Sequence, residues 1–372
     1  MRDHFDAAIV GGGPAGAVAA LVLARAGWRV LLAEAGGRAA FKVGETLPPA
    51  CRPLLRDLGL WDCVAAGGHL LCPGNVVSWG DADLACHDFI RDPHGCGWHL
   101  DRTRFDADLR AAVRGTGAEV RESCRVRRWN FDSAAKAWTV RLAKGSAEST
   151  VFARWLIDAT GRRAAIANSC GSFTQVADQM TAYAVLLQAP ASDADQRTWV
   201  EAAPDGWFYS ALLPRQRRLI AFFTDVDLWP SDAWRSGDDL LAPISRTWHI
   251  RKFLDSGNET TRVRLHRFPA QAAIRTAFAG PGWIAVGDAT LTFDPLSSQG
   301  IFHALYTGLR GAEAVLASDG GDANTIIAYE QRIRAIAAAY LSHRLSLYRT
   351  ENRWQASAFW QRRQVAVKYP PI

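Results

Sequence analysis

Apolar residues along the chain fall into short runs broken by Gly, Pro and polar clusters, and the spacing inside each run predicts an element. Ala7–Val10 is continuously apolar, as expected of a parallel strand covered on both faces. Gly11 to Gly16 follow, and then Ala17–Ala26 (AVAALVLARA), whose small residues predict a helix. Trp28–Ala33 predicts a second strand, ending at Glu34. Residues 36–50 are rich in Gly and Pro and predict a loop, after which Cys51–Leu58, closed by Gly59, predicts a short helix. Asp101–Arg114 predicts a longer helix, with Phe105, Leu109 and Val113 on one face. Gly117–Val120 returns to strand, Val126–Trp129 and Ala137–Leu142 predict an antiparallel pair, and Arg154–Asp158 predicts another parallel strand.

From Thr181 to His266 the pattern changes to alternation. Tyr183–Gln188, Thr198–Glu201, Trp207–Leu213 and Leu219–Asp225 predict antiparallel strands, separated by Pro190, Pro204, Pro214 and Pro230. Val76–Trp79 and Asp88–Ile90 are short strand-like pieces expected in the same sheet, and residues 232–254 suggest a helix. Gly282–Val286 predicts a strand running into Gly287-Asp288-Ala289, a loop from Phe293 to Gly300, and a helix from Ile301 to Ala317. Asp322–Gln364 is helical by period, with Ile326, Ile333, Ile336 and Ala337 as its apolar side.

The expected fold class is therefore α/β: a Rossmann-like dinucleotide-binding domain on a parallel sheet, interleaved with a mostly antiparallel substrate domain, plus C-terminal helices. The pieces assign residues 1–67, 99–178 and 267–320 to the first domain. Residues 68–98 and 179–266 go to the second, and 321–372 to the helical segment.

The chemistry begins at Gly11, Gly13 and Gly16, a G-x-G-x-x-G turn with Ala15 inside it. Gly11 permits the tight turn, Gly13 lets a pyrophosphate approach the backbone, and Gly16 lets helix and strand pack closely. The pyrophosphate would sit on free N–H groups at the positive end of the helix. Glu34 lies close to the ~20 residues further on expected of a carboxylate that binds a ribose hydroxyl. The second feature is Asp288 at a strand end, followed by Gly300 opening a helix whose N-terminus favours developing negative charge. The aromatics Trp199, Trp207, Phe208, Tyr209, Phe222 and Phe223 read either as core or as the lining of a pocket for a flat apolar substrate.

Composition narrows the partners. The 372-residue chain has room for about two domains. Only five of its 43 basic residues are Lys, and the Arg residues are scattered, so the net charge of +6 does not read as a nucleic-acid surface. No run of ~18 apolar residues occurs, so no membrane span is expected. The first strand begins almost at Met1, which leaves no room for a signal peptide, and the seven cysteines are dispersed; a cytoplasmic setting with reduced thiols is expected. Cys86, His87, His94, Cys96 and His99 are zinc-ligand types, but their spacing matches no common zinc site, so no metal is expected.

The order of these motifs resembles a known family. The G-x-G-x-x-G with Glu34, the Asp158-x-x-Gly161 strand end and Gly287-Asp288…Asp294-Pro295 resemble the flavoprotein monooxygenases of the para-hydroxybenzoate hydroxylase fold. Gly44-Glu45-Thr46-Leu47-Pro48-Pro49 and the loop Asp294–Gly300 resemble the branch holding tryptophan halogenases, geranylgeranyl reductases and the flavoproteins that mature tryptophylquinone-cofactor oxidases. Glu351-Asn352-Arg353-Trp354…Phe359-Trp360 resembles that last group most.

The resemblance implies FAD. Gly11, Gly13, Ala15 and Gly16 would hold its pyrophosphate and Glu34 its ribose; Glu45, Thr46 and Arg102 would lie near the cofactor, and Val126 would meet the adenine. Asp288 would bind the ribityl chain, and Pro295, Gly300 and Ile301 would flank the isoalloxazine. The implied activity is hydroxylation of an electron-rich aromatic through a flavin C4a-hydroperoxide. The substrate would be a small aromatic molecule or a tryptophan side chain in a peptide or partner protein. NAD(P)H would supply electrons directly or through a flavin reductase. His303 and Tyr209 are the candidate bases.

Three alternatives stand beside this: a halogenase, an oxygen-independent FAD reductase or dehydrogenase, and a non-catalytic FAD-holding partner protein. Flavin halogenases carry a Trp-x-Trp-x-Ile-Pro stretch and a lysine. Trp98-His99-Leu100-Asp101 does not match that stretch, and no Lys occurs between Lys42 and Lys136.

Overall fold

The computed structural model describes residues 3–36, 42–229, 236–255 and 263–366. Its first strand, Asp3–Val10, lies between two parallel neighbours, Val30–Glu34 and Ala147–Asp158. Glu119–Glu122 and Trp283–Ala285 extend the parallel run on either side. The strand is buried on both faces because each face has its own cover. Ala7 and Ile9 pack with the helix Pro14–Arg25, while Phe5 and Ala8 pack with Trp138, Val140 and Leu142 of an antiparallel hairpin, Arg125–Asp132 with Ala137–Lys144. The helix itself lies against a second helix, Gly300–Asp319. A Cβ at Gly308 would stand 2.4 Å from the Ala15 carbonyl oxygen, so small residues set that close approach.

A second, seven-stranded sheet runs in the order His266–Pro269, Met180–Gln188, Arg217–Asp225, Gly206–Leu213, Thr198–Ala203, Gly74–Ser78, Ala85–Asp88. All pairings are antiparallel except that of Thr198–Ala203 with Gly74–Ser78. Alternation along its strands sorts the aromatics. Trp199, Phe208 and Phe222 face the helix Asp238–Ser245 and Phe253, whereas Trp207 and Phe223 face Tyr348, Phe359 and Trp360 of the C-terminal segment.

Three expectations need correction. Of residues 68–98, only Gly74–Ser78 and Ala85–Asp88 join that sheet. Leu70–Cys72 and Gly97–His99 form a separate three-stranded sheet with Thr46–Leu47. The strand expected over Asp88–Ile90 stops at Asp88, because the Phe89 N–H turns back to the Pro73 carbonyl and Phe89–Arg91 becomes a 3-10 turn. The tail helix is also interrupted: Asn324–Thr350 ends where the backbone extends at Glu351, and Ala358–Arg363 restarts it. The Glu351 carboxylate is buried and receives the Gly80 N–H and the Arg353 guanidinium, which anchors the break.

Of the helix expected over 232–254, Asp238–Ser245 and Lys252–Asp255 are present, while 232–235 lie outside the described residues. So do Pro230 and residues 37–41 of the predicted loop. Among the described residues no helix is long and apolar enough to cross a membrane.

Candidate active site

The turn after the first strand is built for close approach. Gly11 has φ +110°, and a Cβ there would stand 2.1 Å from the Ala159 carbonyl oxygen. At Gly16 a Cβ would stand 1.9 Å from the Gly11 carbonyl oxygen. Gly13 is the opposite case: a Cβ there meets nothing within 4 Å. Gly13 is the N-cap of Pro14–Arg25 with no side-chain cap, so the first-turn amides of Ala15 and Gly16 lack an intrahelical partner. Glu34 borders this turn, its two carboxylate oxygens receiving the Gly12 and Gly36 N–H groups, each at 2.6 Å. Val126 lies on the same side, two residues beyond Cys124, whose N–H bonds the Glu34 carbonyl. Neither Glu34 nor Val126 borders the cavity described next.

From Gly13 and Ala15 a cavity of about 370 Å³ runs to the seven-stranded sheet. Glu45, Thr46, Arg102, Asp288, Pro295, Gly300 and Ile301, scattered in sequence, all line it. Its far wall is Trp207, Tyr209 and Phe223 with Ala182, Leu219 and Ala221, the cavity-facing half of the alternating strands. Trp207 and Phe223, register partners on adjacent strands, stack with centroids 4.0 Å apart and planes 13° apart. The core and pocket readings of the aromatics are thus both realised, on opposite faces.

Arg102 stands at the start of Arg102–Gly115, behind the Asp101 N-cap. Its guanidinium holds Asp106 and the carbonyls of Val43 and Gly44 at 3.1 and 2.7 Å, fixing the segment that leads into Thr46–Leu47. Lys42 joins the same Asp106 at 2.8 Å. Burial pushes the Asp106 carboxyl up, but Arg102 and Lys42 outweigh it and hold it below its ordinary value. Asp288 sits in the turn Gly287–Ala289; burial raises its carboxyl, and Arg162 and Arg102 offset part of that.

The loop from Asp294 to Gly300 is held from the C-terminal helix. The Asp294 N–H bonds the Tyr340 hydroxyl at 2.7 Å. Its carboxylate receives the Tyr348 hydroxyl at 2.7 Å and Arg344 at 3.2 Å, and Arg344 also bridges Asp178 at 2.8 Å. The Trp207 indole N–H reaches the same Tyr348 hydroxyl at 3.2 Å. Sequence reading missed Tyr340, Arg344 and Tyr348. The signal available for them is a repeat of four along the helix Asn324–Thr350. Ser298 takes a left-handed φ of +52°, a strained turn just ahead of Gly300. Gly300 then opens its helix with no side-chain cap and open space where a Cβ would be.

The two candidate bases differ in placement. His303 does not line the cavity: it is buried, its Nε2 lies 3.1 Å from the Thr290 hydroxyl and its ring stands edge-on to Phe293. Burial depresses it to about 4, so the imidazole is neutral. Tyr209 does line the cavity, with its hydroxyl 2.8 Å from the Thr46 hydroxyl. Burial, reinforced by Glu45, holds the phenol well above its ordinary value, so it acts as a neutral hydroxyl. Glu45 is 4% exposed, and its Oε2 has no hydrogen-bond partner. Of the zinc-type residues, His99 is buried between the Leu212 carbonyl and the Thr198 hydroxyl, and Cys86 and His87 are exposed on an edge strand. Among the described residues no three His, Cys, Asp or Glu side chains are grouped to hold a metal.

FAD fits these residues. The open cradle at Gly13, the uncapped helix starts at Gly13 and Gly300 and the cavity between them offer backbone donors and a flat apolar slot in one continuous space. Residues 4–340 match the family model described as FAD binding domain. The chain is 30% identical, over 97% of both chains, to a protein from Marinomonas mediterranea named as an FAD-dependent oxidoreductase, LodB. The structure of the myxobacterial chondrochloren halogenase CndH superposes with a TM-score of 0.87 at 25% identity, covering 98% of this chain and 86% of that one. The peptidyl tryptophan dihydroxylase QhpG superposes with a TM-score of 0.81 at 24% identity, covering 97% and 79%, a likeness of fold. Further relatives at 25 to 27% identity are named as halogenases, among them a tryptophan 2-halogenase from Chondromyces crocatus.

Proposed function

The chain belongs to the FAD binding domain family of oxidoreductases, and from that premise we propose that it hydroxylates an electron-rich aromatic ring, with a tryptophan side chain of a peptide or protein as the substrate class. The observation that carries this reading is the cavity itself: it joins the glycine turn to an aromatic wall, and no lysine lines it among the described residues. Lys42, two residues before Gly44, is committed to Asp106. QhpG, whose fold this chain shares, is named for acting on peptidyl tryptophan, which favours an indole.

In this reading the parallel-sheet body holds FAD and the seven-stranded sheet supplies the substrate wall. Ala15 and Gly16 would donate backbone N–H groups to the pyrophosphate, while Gly11 and Gly16 hold the turn open at Gly13. Glu34 would take the ribose, Val126 would lie toward the adenine, and Asp288 would hold the ribityl chain. Pro295, Gly300 and Ile301, which line the cavity, would hold the ring. When bound and reduced by NAD(P)H, directly or through a reductase, the flavin supplies the electrons that activate oxygen. Trp207 and Phe223 orient a flat ring and exclude water from it. The neutral Tyr209 hydroxyl, tied to Thr46, positions a polar edge.

Halogenation is the second reading, favoured by the CndH superposition. One incubation separates the two. FAD-loaded protein, NADPH, a flavin reductase, oxygen, bromide and a tryptophan-containing peptide are combined, and the product is weighed. Gain of one or two oxygen atoms supports hydroxylation; gain of bromine with no oxygenated product replaces it with halogenation.

A further inference from the structure

Among the described residues that line the cavity, one buried side-chain atom has no hydrogen-bond partner. Glu45 is fully enclosed, yet its Oε2 has no hydrogen-bond partner, and no cation among the described residues pairs with it. The nearby Arg102 is already committed to Asp106 and to two backbone carbonyls. The Tyr209 hydroxyl beside it bonds Thr46 and offsets part of the carboxyl's burial, yet the Oε2 atom itself is left without a partner. Apart from Tyr209, the residues of the seven-stranded sheet that line the cavity are aromatic and aliphatic and offer no side-chain donor there, the Trp207 indole N–H being held by Tyr348. A buried carboxyl in this state costs several kcal/mol unless something donates to it, so the working protein supplies a donor there.

We infer that Glu45 is the substrate anchor, its free oxygen receiving the ring N–H or O–H of the aromatic substrate and thereby selecting indoles and phenols over rings that lack a donor. This rests on the aromatic-substrate reading above. Oxidised flavin presents mainly acceptors along its polar edge, so a substrate donor suits this acceptor. Burial raises the Glu45 carboxyl, partly offset by the Tyr209 hydroxyl and by Arg102, so a donor that binds here also relieves the burial of its charged form. A site built around one buried acceptor discriminates strongly against an analogue that cannot donate, because the acceptor is then left unpaired.

The test is a binding measurement on the FAD-loaded, full-length protein. 3-Methylindole and its N-methylated analogue are titrated separately, and the shift of the flavin absorption bands gives each Kd. Wild type is expected to prefer the N–H compound by about tenfold or more. In Glu45→Gln that preference falls to about threefold or less, because the new amide offers a weaker acceptor. In Glu45→Asp it is partly restored, with FAD content unchanged in both variants. Equal affinity of wild type for the two indoles overturns the Glu45 assignment and leaves the aromatic-substrate reading standing. Altered flavin bands in unliganded Glu45→Gln, or loss of FAD, also overturn it and make Glu45 a cofactor ligand. If FAD is retained but neither indole perturbs it, both the assignment and the indole reading fail.

Discussion

The hydroxyl oxygens of Thr46 and Tyr209 lie 2.8 Å apart, and they join the small three-stranded sheet to the seven-stranded one at the cavity wall. Thr46→Val and Tyr209→Phe should each cost about 1 kcal/mol in urea denaturation. The double variant should cost little more than either alone, since the two changes remove the same bond. Additive losses would show that the hydroxyls act through other partners.

Gly11 and Gly13 separate folding from binding. Gly11→Ala places a methyl group into the Ala159 carbonyl at a positive φ, and should yield unstable or insoluble protein. Gly13→Ala meets no protein atom and should fold with near-normal stability, while losing about tenfold or more in FAD affinity. Flavin content of the purified variants, with circular dichroism, decides this.

Phe222 and Phe223 are sequence neighbours with different surroundings. Phe222→Ala should cost about 3–5 kcal/mol, as loss of a fully packed aromatic does. Phe223→Ala borders a cavity and should cost less, while weakening binding of flat aromatic ligands. Thermal unfolding and ligand titration of the pair test the assignment of faces.

Arg344 is shared by Asp294 and Asp178 in a dry setting. Arg344→Met removes the cation that bonds both buried carboxylates, leaving Asp178 only the more distant Arg363, and should destabilise the protein by about 3–5 kcal/mol. Tyr348→Phe removes only a hydroxyl and should cost about 1–2 kcal/mol. Denaturation midpoints rank the two, and a Tyr348→Phe loss as large as that of Arg344→Met would contradict the ion network as the main anchor.

His99 and His303 are both buried and depressed to about 4. The unfolded chain takes up protons on them below about 6.5, while the folded chain does not until about pH 4. Their contribution to stability is therefore complete above pH 6.5 and declines as the pH falls toward 4, by up to roughly 3 kcal/mol each. Unfolding free energies between pH 7 and 4.5 should fall along that slope, and His99→Gln with His303→Asn should flatten it.

Much of the fold was legible because its signals are local. The glycine turn, the apolar runs at Ala7–Val10 and Trp28–Ala33 and the amphipathic helix with Phe105, Leu109 and Val113 each state their structure within a dozen residues. The cavity was legible only in part. Alternation revealed strands around Trp207 and Phe223, but which parity faces inward depends on what packs against each face, and that comes from distant helices. His303 follows the Asp294–Gly300 loop closely in sequence, yet the helix turns it toward Thr290. The three-stranded sheet uses pairs as short as Thr46–Leu47, too brief for any period. Tyr340, Arg344 and Tyr348 recur every four residues along their helix, but that they hold Asp294, some fifty positions away, is not written in that local spacing.

The hydroxyl of Tyr348 touches both Trp207 and Asp294. An engineer who reshapes the aromatic wall at Trp207 therefore also disturbs the loop on which the flavin would rest, and a gain in fit for a new ring would carry a change in the cofactor's footing. Ala182, Leu219 and Ala221 share the wall without that hydrogen bond. Selection for new substrates has its freest course through those three positions, with Trp207 as the residue that drift is slowest to replace.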